Sequence, residues 1–447
     1  MTSAPLPSTL LAISFALLTG SGLLNRKEPQ HIHSTMTTFT STMTAENQPT
    51  ALPHSPLAEP PARNPILLIG DDLGWLAGQR ELAGRKIIVA DAKADALGLL
   101  AAEPLDCVVA SYADVNKSLV LLNAAAATYP AKPALLRADG KELTGIANSF
   151  PVLPRMDSVE VLDDQLRTRL VATTWQEKPT FKNLMSLIKQ VPTLPNIYTQ
   201  IVAALQNAET SMDEIADLVS REAAVSAKLL QFVNSPLLGL RGRVTSVRDA
   251  TNLLGLSRLR SLVLATSLFK QFDTTKCRSF SISKFEATSL KVASWASTIA
   301  TNETHDKQLA DMAFTASLLH NFGVLLLAAN IPDAYEQVLR TAKEQRVSLA
   351  WMELQMFGAT HAEVAGAMLA SWGIPFPIVN AVGWYPVPSA SEDTAFSPLT
   401  AVHAATAVDA FEQTGMIAYD RGYMERLHLA EKVESWCATL PGEALAA

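Results

Sequence analysis

The hydrophobic pattern divides the chain into a region of short apolar runs and a longer region of helical periodicity. The short runs are ILLIG at 66–70, KIIVA at 86–90, DCVVAS at 106–111, PALLRA at 133–138 and FPVLP at 150–154. Residues 92–102, between the second and third runs, are rich in Ala and Leu and predict a helix. Strands that alternate with helices predict a parallel sheet covered by helices, in a small doubly wound α/β domain.

From Leu194 onward, apolar residues recur with the three-four spacing of helices. Ser211 and Glu214 have the spacing of a capping box at a helix start. Gly255 predicts an interruption within a later helical segment. Beyond Pro388, residues 391–413 and 424–440 predict two more amphipathic helices. This part of the chain therefore predicts an all-helical architecture.

The most apolar helical segment is Leu309 to Asn330, which predicts one helix buried on nearly all sides. His320 and Asn321 form an adjacent polar pair in its middle. Two polar side chains inside an apolar helix cost free energy unless they have hydrogen-bond partners. The pair therefore predicts either hydrogen bonds within the core or a functional site.

Composition and charge narrow the classes of function. The 447 residues are 48% hydrophobic and 18% charged, as is typical of a globular protein, and about three domains fit this length. The formal net charge of -7 argues against bulk attraction to nucleic acid or anionic membranes. The three cysteines are far apart and lack metal-ligand spacing, which favours the reducing cytoplasm.

The N-terminal residues 1–63 predict an extension and a linker rich in Pro, Ser and Thr. Leu10 to Leu24 is apolar, and a signal peptide or membrane anchor is one interpretation of it. The segment is shorter than the roughly 20 residues that span a bilayer, and no basic residue precedes it. We therefore expect no membrane span. An alternative explanation of the segment is that Met1 lies upstream of the true start codon.

Residues 64–172 resemble a response-regulator receiver domain, most clearly in GRKIIVADAKADALGLLAAEPLDCVVAS at 84–111. The resemblance implies an acidic pair that holds Mg²⁺, matched by Asp71 and Asp72, and a phosphoacceptor Asp, whose position is occupied by Ser111. A serine hydroxyl cannot become an acyl phosphate and is a weak nucleophile without a base. We expect a receiver-like domain that is not phosphorylated. The alternative for the acidic pair is a polar loop that caps a helix.

Residues 191–388 resemble the HDOD family, an all-helical output domain related to metal-dependent HD hydrolases. The matching segments are VPTLPNIYTQIV at 191–202, SAKLLQFVNSP at 226–236, SVRDATNLLGLSRLRSLV at 246–263, AFTASLLHNFG at 313–323, GATHAEVAG at 358–366 and WGIP at 372–375. The resemblance implies a site built from an adjacent His-Asp pair and further His and Asp residues on neighbouring helices.

The expected metal ligands are incomplete in this sequence. The pair is His320 and Asn321, and a neutral amide is a much poorer ligand for a dication than a carboxylate. His361 is the second histidine that the resemblance brings near, and the segment where paired histidines are expected reads Gly383-Trp384-Tyr385-Pro386. We expect hydrogen-bonded core histidines with no metal, no cofactor and no catalytic residue. Weak metal binding and hydrolysis are the alternatives.

Five arginines lie within residues 241–260, a segment whose only acidic residue is Asp249. Arginine is well suited to binding phosphate. A phosphate or nucleotide ligand is one interpretation, and a solvated helix face is the other. The five are Arg241, Arg243, Arg248, Arg258 and Arg260.

The sequence as a whole predicts a multidomain bacterial signalling protein that is not an enzyme. Its expected parts are the extension 1–63, the receiver-like domain 64–172, a linker 173–190, the HDOD domain 191–388 and a helical extension 389–447. The expected partners are other signalling proteins, with a homodimer and a nucleotide ligand as further alternatives. Competing functions are a phosphodiesterase of the HD superfamily and a regulator that binds cyclic nucleotides or nucleic acid.

Overall fold

The computed structural model describes residues 63–446 except 72, 77, 91–97, 100–103, 112–114, 129–133, 138–151, 154–157, 206, 208–209 and 236–242. The predicted N-terminal extension, Asp72, Arg241 and most of the predicted helix 92–102 lie outside these residues. The chain divides into two compact units, one containing a sheet and one built of helices.

The first unit contains a six-stranded sheet. Its strands are β1 (Ile66–Ile69), β2 (Glu81–Leu82), β3 (Arg85–Ala90), β4 (Cys107–Ala110), β5 (Ala134–Arg137) and β6 (Val152–Leu153). The spatial order is β2-β3-β1-β4-β5-β6, in which β2 is antiparallel to β3 and the other neighbours are parallel. All five predicted strands are confirmed. The two-residue β2 was not predicted, because so short a strand leaves no periodic signal.

Helices cover both faces of this sheet. Helix α1 (Val115–Thr128) packs Leu121 and Leu122 against one face of β1 and β4. Helix α2 (Val159–Gln176) packs Leu162 and Leu166 against the other face. The central strands β1 and β4 are buried at every residue, which explains why their sequences are uninterrupted apolar runs. The small sheet is confirmed, whereas its identity as a receiver-like fold stays a prediction.

The remaining described chain is mainly helical. Its helices are α3 (Pro179–Ser186), α4 (Asn196–Leu205), α5 (Met212–Ser220), α6 (Ala223–Val233), α7 (Val247–Phe269), α8 (Ile282–Thr304), α9 (Lys307–Leu319), α10 (Phe322–Asn330), α11 (Pro332–Gln345), α12 (Leu349–Phe357), α13 (His361–Ser371), α14 (Phe376–Trp384), α15 (Pro398–Thr414), α16 (Arg421–Arg426) and α17 (Ala430–Ala446).

Two local predictions about these helices are confirmed. The capping box of α5 is present, since the Glu214 amide donates to Ser211 Oγ at 3.2 Å and the Ser211 amide donates to Glu214 Oε2 at 3.0 Å. Gly255 interrupts α7 with a φ of 76° and a ψ of 165°. Glycine adopts this positive φ readily because it has no Cβ.

The segment 309–330, which was predicted as one helix, is two helices. Helix α9 ends at Leu319 and α10 begins at Phe322. In a continuous helix, the Ser317 carbonyl would accept from the amide of Asn321. Here it accepts from the amide of His320 at 3.4 Å and contacts His320 Nδ1 at 2.5 Å. A side chain that takes a backbone acceptor competes with the helix, and the prediction was wrong for this reason.

The same two helices contain the only stretch among the described residues that is long and apolar enough to cross a membrane. This stretch is Lys307–Asn330, and 83% of its most apolar window is buried inside the protein. Burial of this extent is typical of a core helix.

The C-terminal helices share one core with α8 and α9. Trp295 of α8 and Ala313 of α9 belong to the same buried cluster as Val408, Tyr423 and Trp436 of the three C-terminal helices. Two ion pairs add to this packing: Lys291 Nζ lies 2.8 Å from Asp409 Oδ1, and Lys432 Nζ lies 2.5 Å from Glu303 Oε2. The segment after 388 is therefore part of the helical unit, with a short additional helix, α16, between the two that were predicted.

Candidate functional site

His320, Asn321 and His361 lie together around the side chain of Tyr385. His320 and Asn321 form the junction between α9 and α10, and His361 is the first residue of α13. The Tyr385 ring lies 5.1 Å from the His320 ring and 5.9 Å from the His361 ring, and its hydroxyl donates to Asn321 Oδ1 at 3.0 Å. The two segments that the sequence singled out therefore meet at one buried centre.

A glycine permits this close approach. A Cβ added to Gly323, in the first turn of α10, would lie 1.9 Å from the carbonyl oxygen of His361. No residue with a side chain fits against another backbone at that distance. The sequence His320-Asn321-Phe322-Gly323 therefore combines the polar pair with the small residue that lets α13 pack against it.

Glu353 of α12 holds His361 from the other side. Its Oε2 accepts from the His361 backbone amide at 2.9 Å and lies 2.6 Å from His361 Nδ1. Its Oε1 accepts from the Tyr335 hydroxyl of α11 at 2.5 Å. Both Glu353 and Tyr335 are fully buried. We call Tyr335, Glu353, His361, Tyr385 and Asn321 the His361 network.

Two proton arrangements satisfy this network. Both place a proton on His361 Nδ1, because a carboxylate oxygen of Glu353 only accepts. In one, His361 Nε2 also carries a proton and donates to the Tyr385 hydroxyl, 2.6 Å away, which donates to Asn321. In the other, the Tyr385 hydroxyl donates to the Nε2 lone pair and accepts from the Asn321 amide group. Neither arrangement leaves a free lone pair on the His361 ring.

The surrounding core also controls ionisation. Burial, with a smaller effect of His361, lowers the pKa of His320 to about 4, so that its ring is neutral at pH 7. Burial and the negative charge of Glu353 raise the pKa of Tyr335 and of Tyr385 well above the usual value. Both phenols therefore remain protonated and act as hydrogen-bond donors.

The metal ion that the HD resemblance implies does not fit these residues as they are arranged. Both ring nitrogens of His361 have protein partners, and the Asn321 oxygen has the Tyr385 hydroxyl. Among the described residues, no group of three or more His, Cys, Asp and Glu side chains is placed to hold a metal ion. His305 and Asp306 are exposed between α8 and α9, where Asp306 caps α9.

The predicted receiver positions lie at one edge of the sheet. Asp71 is exposed just after β1, and Ser111 is fully buried just after the neighbouring strand β4. The Ser111 amide donates to the Ile69 carbonyl at 2.7 Å, and a Cβ on Gly70 would lie 1.6 Å from the Ser111 carbonyl oxygen. The two backbones are thus tightly packed here, and the buried Ser111 is poorly placed to meet a phosphoryl donor.

Of the four predicted phosphate-binding arginines that the structure describes, Arg248 and Arg258 make ion pairs within the protein. Arg258 Nε lies 3.1 Å from Asp311 Oδ1, Arg258 Nη2 donates to Ser297 Oγ at 2.8 Å, and the guanidinium lies over the Phe314 ring. Arg248 pairs with Asp213 and Asp217 of α5. Arg243 is exposed and Arg260 half-buried. Phosphate binding by this set stays a prediction, and Arg258 is the member least free to take part.

Sequence reasoning missed Glu353, Tyr335 and the role of Tyr385. Glu353 lies in the apolar segment LAWMELQMF of α12, where a single carboxylate is a signal of a buried partner. Tyr385 lies in the segment where the family resemblance implies histidines, which is the signal that could have drawn attention to it. Neither signal identifies the partner, since the partners come from other helices.

Comparison with known proteins identifies the class of the helical domain. Residues 191–388 match the model of the HDOD domain, which confirms the predicted HDOD domain. An uncharacterized protein of Treponema pallidum (strain Nichols) is 24% identical over 213 residues, which are 47% of this chain and 40% of that relative. The match therefore spans less than half the length of this relative.

Two solved structures resemble the chain at similar levels. An HDOD domain protein of unknown function from Geobacter sulfurreducens has a TM-score of 0.48 and 21% identity, covering 65% of this chain and 98% of its own. A "Putative phosphohydrolase" from Shewanella amazonensis SB2B has a TM-score of 0.45 and 20% identity, covering 60% of this chain and 93% of its own.

The second description corrects one prediction. The sequence led us to expect that the chain is not an enzyme, and a similar protein that is described as a phosphohydrolase contradicts that expectation. The expectation rested on missing ligands alone.

Proposed function

We propose that the chain is a bacterial signal-transduction protein in which a receiver-like α/β unit provides an input and the HDOD domain acts by binding. The single observation that supports binding most directly is the His361 network, in which Glu353 and Tyr385 occupy both ring nitrogens of His361. The buried hydrogen bonds of the His361 network stabilise one arrangement of the helices that they join. Helices held in one arrangement have a constant outer surface, to which a protein partner can bind.

The strand order supports a receiver-like input unit. When β2 is set aside, the parallel strands follow the spatial order second, first, third, fourth, fifth along the chain. This order is that of flavodoxin-like folds, to which response regulators also conform. The exposed Asp71 at the carboxyl end of β1 lies where such folds bind ligands. We propose docking or dimerisation as the use of this unit, since Ser111 replaces the phosphoacceptor.

A second candidate function is metal-dependent hydrolysis of a phosphoester, and the geometry of His320 favours it. The His320 ring is neutral, and its Nδ1 lies against the Ser317 carbonyl, which orients Nε2 as an acceptor. A metal-binding histidine commonly uses its second ring nitrogen in this way. His320 would then be the first ligand to consider, and His361 could join it only by giving up its contact with the Tyr385 hydroxyl.

One experiment separates the two candidates. Elemental analysis of protein purified without chelator is followed by a hydrolysis assay on a generic phosphodiester with Mn²⁺. Stoichiometric metal and turnover that are both lost in His361→Gln would favour the hydrolase. If metal and turnover are both absent, binding is the function that remains supported by the His361 network. Metal and turnover that persist in His361→Gln would mean hydrolysis at a site without His361 and would contradict both candidates. The exposed His305→Gln is the matched control.

A further inference from the structure

Residues 188–195, which we call the proline segment, form neither helix nor strand and lie just before α4. Asn330, the last residue of α10, holds the start of this segment. Its Oδ1 accepts from the Lys189 amide at 2.8 Å and from the Gln190 amide at 2.6 Å, while its Nδ2 donates to the Gln190 carbonyl at 3.2 Å. A bond of 3.0 Å from Nδ2 to the Leu326 carbonyl fixes the same side chain to its own helix. The main chain of the segment is therefore attached to the end of α10.

Gln271, which follows α7, holds the middle of the proline segment. Its Oε1 accepts from the Thr193 amide at 3.0 Å, and its Nε2 donates to the Thr193 carbonyl at 2.8 Å. The next residue, Phe272, packs its ring edge-on against that of Phe322 in α10, with the ring centroids 6.1 Å apart. Gln271 and Asn330 therefore belong to parts of the helical unit that contact each other. We call these two residues the amide clasp.

The amide clasp recognises the main chain of the proline segment. Each of its side chains pairs with both the N–H and the C=O of one residue, as a neighbouring strand does. The side chains of Lys189, Gln190 and Thr193 are exposed, whereas Pro192 and Pro195 are buried. The contacts thus depend on backbone groups and on two prolines that lie three residues apart.

The two prolines also determine the shape of the segment. Proline fixes its own φ and restricts the residue before it to extended conformations, which applies here to Val191 and Leu194. A chain that is already extended loses little conformational freedom when it binds. Recognition domains commonly bind proline-containing peptides for this reason. The proline segment and the amide clasp therefore have the features of a peptide ligand and its site.

The contacts of the clasp are of a kind that another chain can replace. All five hydrogen bonds between the clasp and the segment are exposed to solvent. Each bond of this kind changes an affinity by a factor of about two to ten. The proline segment competes strongly because it is part of the same chain, which gives it an effective concentration of about millimolar.

We propose that the amide clasp is a binding site for an extended segment of a partner protein that has two prolines three residues apart, and that the proline segment occupies this site as an internal ligand. The partner's main chain takes the place of Thr193 and Gln190 at the two amide side chains. The inference rests on the proposed binding function and gives it a ligand of defined chemistry.

The probe is a fluorescently labelled peptide with the sequence of residues 188–196, and fluorescence anisotropy measures its binding to the full-length chain. Thr193→Pro in the chain removes the N–H that donates to Gln271 together with an exposed side chain. We expect this variant to bind the peptide about fivefold more tightly than the unmodified chain, because its own segment competes less well by one hydrogen bond. Thr193→Ala keeps the N–H and is the matched control, for which we expect the affinity of the unmodified chain.

A second peptide, which itself carries Thr193→Pro, tests whether Gln271 is the acceptor. We expect the Thr193→Pro chain to bind the natural peptide about fivefold more tightly than this one. Adding Gln271→Ala to the chain should abolish the preference, whereas a purely structural role of Gln271 would leave it in place. If Thr193→Pro does not fold, the unmodified chain and Gln271→Ala give the same comparison at higher protein concentration.

Three results would overturn the proposal. The first is the absence of peptide binding from all of these chains, and the second is a preference that persists after Gln271→Ala. The third is a dimer of the unmodified chain, measured by light scattering, that Thr193→Pro dissociates, because the clasp would then bind the same segment of a second copy. Each result leaves the metal and turnover assay unchanged, so failure of this site is distinguishable from failure of the proposed binding function.

Discussion

The centre around His361 and the sheet edge around Ser111 differ in how they accommodate a single departure from an expected site. In the first, Asn321 lies where the HD resemblance implies a carboxylate, and Tyr385 and Glu353 satisfy the neighbouring polar groups inside the core. In the second, Ser111 is buried against backbone while Asp71 is exposed to solvent. Buried polar groups need partners inside the protein. The polar side chains of the first region meet that need with one another across several helices, whereas the backbone at Ser111 meets it within the sheet, through the Ile69 carbonyl.

The largest expected effect comes from a substitution within the His361 network. Glu353→Ala leaves the Tyr335 hydroxyl and His361 Nδ1 without their shared acceptor. We expect a loss of about 3–5 kcal/mol in the free energy of unfolding, because two buried polar groups lose their acceptor and each such group costs about 1–3 kcal/mol. Urea denaturation measures it. The control is Glu344→Ala, whose pair with Arg340 is exposed and is worth about 0–1 kcal/mol. Similar losses in the two variants would contradict the importance of the network.

The two glycines test the close backbone approach in each region. Gly323→Ala places a Cβ against the His361 carbonyl, and Gly70→Ala places one against the Ser111 carbonyl. We expect each to cost about 3 kcal/mol, at the upper end of overpacking, because backbone cannot move aside as a side chain can. Hydrogen exchange read by mass spectrometry assigns each loss to its own unit.

Gly98→Ala is the matched control for both glycines, since nothing lies within 4 Å of its added Cβ. We expect little change in its hydrogen exchange. Unchanged exchange in Gly323→Ala as well would show that α10 and α13 are less tightly packed than the structure indicates.

The pH dependence of stability gives a smaller effect that belongs to the buried centre alone. The pKa of His320 is lowered from 6.5 to about 4 in the folded protein, so the unfolded chain binds the proton first as the pH falls. The contribution is full above pH 6.5 and declines towards pH 4. We expect a loss of about 2 kcal/mol between roughly pH 7 and pH 5.

Substitution at two histidines separates this contribution from the titration of carboxylates. His320→Gln should flatten the dependence measured by urea denaturation at several pH values, while the exposed His305→Gln should leave it as it is. An unchanged slope in His320→Gln would mean that the ring is not held neutral by burial.

The arginines give the smallest expected effects. Arg258→Ala removes the pair with Asp311 and the contact with Phe314, and we expect a cost of about 1–2 kcal/mol. Arg248→Ala removes only exposed pairs and should cost about 0–1 kcal/mol. Thermal unfolding of both variants checks the order. A larger effect of Arg248 would indicate that this surface has a structural role.

The sequence predicts regular elements well and the contacts of the site poorly. Runs such as 66–69 are fully buried strands, and the Ser211 capping box is local, so both are legible in the chain. The break after Leu319 depends on His320 turning back onto the Ser317 carbonyl and on Gly323 meeting His361, which is distant in sequence. An apolar periodicity contains no information about such contacts.

The partners of His361 illustrate the same limit. Glu353 precedes it by eight residues and Tyr385 follows it by 24, and both come from other helices. A single carboxylate or phenol in an apolar segment indicates that a partner exists without naming it. The sequence shows that the expected set of metal ligands is incomplete. It does not show that the Tyr385 hydroxyl contacts the residues that remain of that set.

The most direct test of the account is the nitrogen NMR spectrum of the full chain with ¹⁵N-labelled histidine, recorded for the unmodified protein and for Tyr385→Phe. If the Tyr385 hydroxyl closes the His361 network, the Nε2 resonance of His361 shifts in the variant while its Nδ1 resonance, fixed by Glu353, remains unchanged. If both resonances of His361 are the same in the two proteins, Tyr385 is not its partner and the central claim is wrong.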